Sequence, residues 1–273
     1  MNNTLLRAIT GFFFVASILL PIWFNNYIAV GVFSIFFIAA LIEFGNLFNT
    51  HAKIEFNKVG FLVSSILIYA LSAWIILYSF DYFLFTLIIP VVFLFILSEL
   101  WRNKKEPIYN ISTSIFGLFY ILVPFILILL LVQINENSKH LLIGMFLLIW
   151  SNDTFAYLSG RIFGKTKLFE RISPKKTWEG TLGGIIVTIG IGILFGMLNN
   201  GNLFYFWIVS ACIVAPCAIF GDLLESLMKR NLNIKDSGNI LPGHGGILDR
   251  FDATLFTVPF FFTWVLIYNL YFS

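Results

Sequence analysis

Between Ser226 and Asp252 the chain gathers Lys229, Arg230, Lys235, Asp236, His244, Asp249, Arg250 and Asp252. Only 11% of its residues are charged, so this concentration marks a place where charge does chemistry. Asp249 and Asp252 are spaced i, i+3, which puts them on one face of a helix. Carboxylates of this kind suit Mg²⁺, which takes one or two of them and completes its octahedron with waters and substrate phosphates. Gly243, Gly245 and Gly246 let the backbone approach an anion closely and turn N–H groups toward it. His244 is a candidate phosphate ligand, acid or base, and equally a candidate loop-ordering hydrogen-bond partner.

Three other groups of residues carry related chemistry. Asp222, Glu225, Ser226 and Lys229 follow an i, i+3, i+4, i+7 spacing, one stripe along a helix. The segment 161–180 holds Arg161, Lys165, Lys167, Arg171, Lys175 and Lys176, shaped by Pro174 and glycines. Such a field suits a polyphosphate, and it also suits a loop resting on anionic lipid. Asp153 lies roughly 18 Å along an apolar helix that starts near Leu141. A carboxylate at that depth costs about 2.5–3.5 kcal/mol, so it is expected to face a polar cavity or a cation. Glu43, near the inner end of the second helix, is read as interfacial or hydrogen-bonded, with no assigned role.

The elements that position these groups are membrane helices. The chain is 59% hydrophobic, and its apolar runs recur from end to end. About 20 residues cross roughly 30 Å of hydrocarbon at 1.5 Å per residue, and in lipid each backbone must satisfy itself. The runs near 5–24, 27–48, 59–80, 82–98, 111–132, 141–160, 181–199, 203–225 and 252–272 are therefore expected as helices. They are too long and uniform for the alternation of a membrane barrel. The fold class is all-α, a polytopic integral membrane protein with about nine transmembrane helices. Residues 1–24 are read as a retained first helix, because no small-x-small cleavage site follows.

Alternating loops separate the basic residues sharply: every Lys and Arg except Lys139 falls on one side. Basic loops are cytoplasmic, which places the N-terminus in the cytoplasm and the C-terminus outside. The chain reads as one membrane domain, 1–273. Helices 1–5 (1–140) serve as scaffold and candidate dimerisation region. Helices 6–9 (141–273) carry the catalytic cytoplasmic loops. Cys212 and Cys217 are read as small core residues that do not bridge. Gly180-x-x-x-Gly184 and Gly192-x-x-x-Gly196 suggest a helix packed closely on a neighbour.

The segment 226–252 resembles the signature of the phosphatidate cytidylyltransferases, the CDP-diacylglycerol synthases. Its fixed positions are filled by Ser226, Lys229, Arg230, Lys235, Asp236, Gly238, Leu241, Pro242, His244, Gly245, Gly246, Asp249, Arg250 and Asp252. The runs 152–157, 160–165 and 173–180 are similar to the same family. The clear resemblance covers about 150–255; the first 140 residues match in hydropathy and helix number. It implies an enzyme that condenses CTP with phosphatidic acid, giving CDP-diacylglycerol and pyrophosphate. It also implies Mg²⁺ dependence, with one or two divalent ions and a monovalent cation as a further candidate, and a homodimer. Expected metal ligands are Asp153, Asp222, Asp249 and Asp252. Asp222, Asp249, Lys229 and Arg250 are the expected catalytic set. Arg161, Lys175, Lys176, Ser226, Arg230, Lys235 and His244 are expected to bind substrate. The expected location is the inner cell membrane with the active site facing the cytoplasm, among membrane lipids and without a nucleic-acid partner.

Rival readings differ in their products and architecture. A CTP-dependent polyprenol or phytol kinase would want the same nucleotide, metal and basic face. A prenyltransferase needs a second Asp-rich motif, which the spacing here fits poorly. A transporter would place its polar residues at midplane between repeats, whereas most polar residues here cluster near one interface.

Overall fold

The computed structural model describes residues 3–51, 55–78, 82–134, 138–198, 203–238 and 245–271. Its helices are α1 (Asn3–Phe24), α2 (Asn26–His51), α3 (Lys58–Leu77), α4 (Ile88–Arg102), α5 (Pro107–Gly117), α6 (Val123–Gln133), α7 (Ser138–Phe163), α8 (Trp178–Leu198), α9 (Phe204–Asn231) and α10 (Leu248–Tyr271). Among the described residues, eight helical segments are long and apolar enough to cross a membrane, and the apolar part of α1, Ile9–Phe24, is shorter. The protein is an all-α polytopic membrane protein, as its hydropathy requires.

Two details differ from the apolar runs for local reasons. α5 and α6 form one span through a widened turn at Leu118–Leu122, where the Val123 amide donates to the Leu118 carbonyl. Pro124 follows at once; it has no N–H, so the regular i→i+4 ladder loses a donor there. α4 is entered through a tighter 3₁₀ turn, Tyr82–Leu87. One small hairpin is added to the helices: β1 (Lys167–Phe169) pairs antiparallel with β2 (Ser173–Thr177).

The chain divides into two compact units. Residues up to 138 together with 232–250 form the first; 139–231 together with 251–273 form the second. In the first, α2 packs on α1, α3 and α6. Its centre is aromatic: Phe37 stacks on Tyr69 at 4.1 Å between ring centroids and meets Phe125 at 5.6 Å. Phe44 and Phe61, fully buried in the same unit, meet at 5.4 Å. Between membrane helices, where lipid is as apolar as the side chains, such close packing supplies dispersion energy that a loose contact would lack.

The second unit is built on a stripe of small residues. Gly180, Gly184, Thr188, Gly192 and Gly196 recur every four residues along α8, and all are buried. A Cβ on Gly180 would stand 2.7 Å from the Ala156 carbonyl of α7, and one on Gly192 would stand 2.7 Å from the Ala211 Cβ and the Trp207 carbonyl of α9. The stripe therefore lets α8 approach both neighbours to backbone contact, as the glycine spacing suggests. Gly192→Val is expected to cost about 1–3 kcal/mol through overpacking. A lower thermal midpoint of the purified protein in detergent checks it; an unchanged midpoint would mean that α8 and α9 are not in such close contact.

Candidate active site

In the second unit, α9 stays helical through Asn231, so the polar stripe holds its geometry beyond the apolar run. Ser226 Oγ donates to Asp222 Oδ1 at 3.2 Å, one turn below it. Lys229 Nζ donates to Glu225 Oε2 at 2.9 Å. Glu225 is fully buried, and a buried carboxylate is costly unless paired. Its bond to Lys229 therefore neutralises Glu225 and fixes the direction of the ammonium group.

The hairpin brings a second cation to this stripe. On β2, Lys175 is exposed while Lys176, next to it, is half-buried. Lys176 Nζ lies 2.6 Å from Asp222 Oδ2. The base of the hairpin is fastened to the start of α8. The amides of Lys165 and Thr166 donate to the Glu179 carboxylate at 3.0 and 3.1 Å. The Trp178 amide donates to the Thr166 carbonyl at 2.9 Å. The Gly180 amide donates to Thr177 Oγ1 at 3.2 Å, a side-chain cap on the first turn. At the far end, Arg230 Nε donates to the Ile172 carbonyl at 3.4 Å, linking the end of α9 to the hairpin turn.

Carboxylates converge within this unit. A Cβ on Gly221 of α9 would stand 2.6 Å from the Asp252 carbonyl of α10, so glycine permits the two helices to touch there. Asp252 lies within electrostatic reach of Asp222, Glu225 and Asp153. Asp153 is exposed on α7, while its neighbour Asn152 is buried against Gly184. Arg161 is exposed at the end of α7.

In the first unit, Asp249 sits in the first turn of α10. Its Oδ2 accepts from the amides of Ser237 and Gly246, each at 2.9 Å. Gly245 has φ of 80°, a left-handed conformation that glycine adopts without strain. Lys235 and Arg250 are exposed. Glu43, left without a role by sequence reading, is buried here, and its Oε2 accepts from the Leu248 amide at 2.8 Å. His244, with Leu241, Pro242 and Gly243 of the same motif, lies outside the described residues.

Among the described residues no three His, Cys, Asp or Glu side chains form a ready-made metal cage. Mg²⁺ does not require one, since substrate phosphates and waters complete its shell. The donor set fits such an ion. Asp252 feels the charges of Asp222, Glu225 and Asp153, and the Lys176 ammonium lies against Asp222. Sequence reading placed the charged residues but not these pairings. The i, i+4 spacings of Asp222 with Ser226 and of Glu225 with Lys229 were the visible signals; no spacing links Lys176 to Asp222.

Membrane-crossing helices carrying clustered carboxylates beside ammonium groups define a class, the polytopic membrane proteins with a charged site. Within that class the model of the cytidylyltransferase family matches residues 5–268, and the chain belongs to that family. The match extends well beyond the segment 150–255 that carries the signature motifs. The phosphatidate cytidylyltransferase of Rickettsia prowazekii is 40% identical over 187 residues, covering 66% of this chain and 80% of that protein. That of Aquifex aeolicus is 38% identical over 184 residues, 66% of each chain. That of Bacillus subtilis is 45% identical over 115 residues, 42% of this chain and 43% of its own.

Proposed function

We propose that this chain transfers the cytidylyl group of CTP to phosphatidic acid, giving CDP-diacylglycerol and pyrophosphate for phospholipid synthesis. The observation that carries the reading is the motif from Ser226 to Asp252, filled at every fixed position. A phosphate oxygen of the lipid attacks the α-phosphorus of CTP, and the bond to the bridging oxygen of the β-phosphate breaks. The attacking oxygen is already ionised near neutral pH, so no strong general base is needed. Both reactants are anions, and the barrier is largely electrostatic.

The side chains have roles that follow from this barrier. Lys176, Lys229 and Arg230 hold phosphate groups beside the α9 stripe. Arg161, Lys175, Lys235 and Arg250 are proposed to supply further positive charge to the anionic substrates. Ser226 and His244 are proposed to contact substrate. Asp153, Asp222 and Asp252 in the second unit, and Asp249 in the first, are each proposed as ligands for Mg²⁺, which when bound supplies charge neutralisation for the nucleotide and lipid phosphates. The distribution of Lys and Arg supports a cytoplasmic site in the inner membrane with the N-terminus inside. The resemblance supports a homodimer.

Incubating the purified protein with labelled CTP, phosphatidic acid and Mg²⁺ tests the reading. Label from the α-phosphate should enter the lipid phase with release of pyrophosphate. Lipid phosphate with CDP would instead indicate a CTP-dependent lipid kinase, the reading the relatives do not favour. Lys176→Ala is expected to raise the KM for CTP about tenfold, the scale of one charge-assisted contact. An unchanged KM would remove Lys176 from nucleotide binding.

A further inference from the structure

We propose that Glu43 is a positioning residue, reaching from α2 to fix the backbone on which Asp249 depends. Its role for Asp249 rests on the cytidylyltransferase reading; its hold on the backbone rests on geometry alone. Glu43 is only 4% exposed, so its carboxylate must be compensated from within the protein. Oε2 accepts from the Leu248 amide at 2.8 Å, across 205 residues of sequence. Leu248 is the first residue of α10, and its N–H is one of the orphan donors of a helix start. A carboxylate is favoured there by the helix dipole as well.

The other oxygen sets two glycines of the motif. A Cβ on Gly238 or on Gly246 would collide with Glu43 Oε1. A larger residue at either position would therefore have to displace the Glu43 carboxylate, a side chain from a distant helix. Gly246 is also one of the two amides that hold Asp249 Oδ2; the other belongs to Ser237, next to Gly238. Glu43 and Asp249 thus share one piece of backbone: Glu43 fills the space at Gly238 and Gly246 and binds Leu248, while Asp249 binds Ser237 and Gly246. Removing Glu43 opens a polar void under both anchors of Asp249 and leaves the Leu248 amide unpaired.

Amide hydrogen exchange on the full-length protein in detergent tests this, together with Mg²⁺ titration of activity. In Glu43→Ala, exchange in the peptide carrying Gly245–Arg250 should accelerate about tenfold, the loss of one hydrogen bond to a charged group, while α8 and α9 keep their protection. The Mg²⁺ concentration for half-maximal activity should rise about tenfold, with a smaller change in the KM for CTP. Glu43→Gln retains an oxygen acceptor of the same size and should restore most of the protection. Glu43→Asp keeps the charge but falls short by one methylene, and should loosen the same peptide. Unchanged exchange there in Glu43→Ala or Glu43→Asp would overturn the proposal. So would a rise throughout the chain in all three variants, which would mark a general contribution to stability. The exchange result decides the positioning role whatever product the wild type makes.

Discussion

Asp249→Asn is expected to reach the membrane in normal amount and to lose Mg²⁺-dependent cytidylyl transfer by about 100-fold or more, the scale on which removal of one charge-stabilising group acts. The two effects separate because of how Asp249 is held. One oxygen, Oδ2, accepts from both the Ser237 and Gly246 amides. An asparagine can keep its single oxygen at that position, so both backbone anchors survive. The substitution then removes charge and replaces the remaining oxygen by an amide nitrogen, which donates and cannot ligate a metal. Asp249→Ala removes the anchors as well and should lower the thermal midpoint, which the asparagine variant should not. The measurement is initial rate against Mg²⁺ concentration at saturating CTP, alongside thermal unfolding of each variant. Turnover at the wild-type level in Asp249→Asn would take Asp249 out of the metal shell.

The membrane helices were legible because lipid imposes one rule on every span: bury apolar side chains outward and satisfy the backbone inside. That rule weakens at the polar ends. α7 continues to Phe163 and α9 to Asn231, past the apolar runs expected to end near 160 and 225, because charged residues there remain good helix formers once the helix has started. The hairpin at Lys167–Thr177 had no signal, since three and five residues rich in Lys are too few to show a period. The small-residue stripe of α8 was visible as glycine spacing, though not which helices it touched.

The site divides along a chemical line. Residues recognised by type and spacing, such as Asp222, Glu225, Ser226 and Lys229, were found and stand on one helical face. Glu43 was read as interfacial or hydrogen-bonded, and it is hydrogen-bonded, but its partners were not legible, being a backbone amide at Leu248 and the bare Cα atoms of Gly238 and Gly246. Backbone groups carry no residue identity, so no pattern of side chains could announce the contact. The glycines themselves were read as permitting close approach of a ligand. One of them, Gly246, also faces a carboxylate of the protein, as does Gly238.

Asp222→Asn is expected to lower kcat by about 100- to 1,000-fold, with a thermal midpoint close to that of the wild type. The 2.6 Å pair with Lys176 is partly solvated, the side chains being 25% and 36% exposed. Ion pairs of this kind contribute little to folding, so lost activity would not be lost structure. The sign of the accompanying change in CTP binding separates two roles for Lys176. If Lys176 serves the nucleotide and Asp222 only holds it in place, Asp222→Asn frees an ammonium group and the KM for CTP falls or stays level while kcat drops. If Asp222 orders Lys176 for phosphate contact, KM rises as it does in Lys176→Ala. The double variant completes the cycle: a loss equal to the larger single loss means the two act as one unit, and a product of the two losses means they act separately. Retention of wild-type kcat in Asp222→Asn would remove this carboxylate from the reaction and leave the pair as a surface contact.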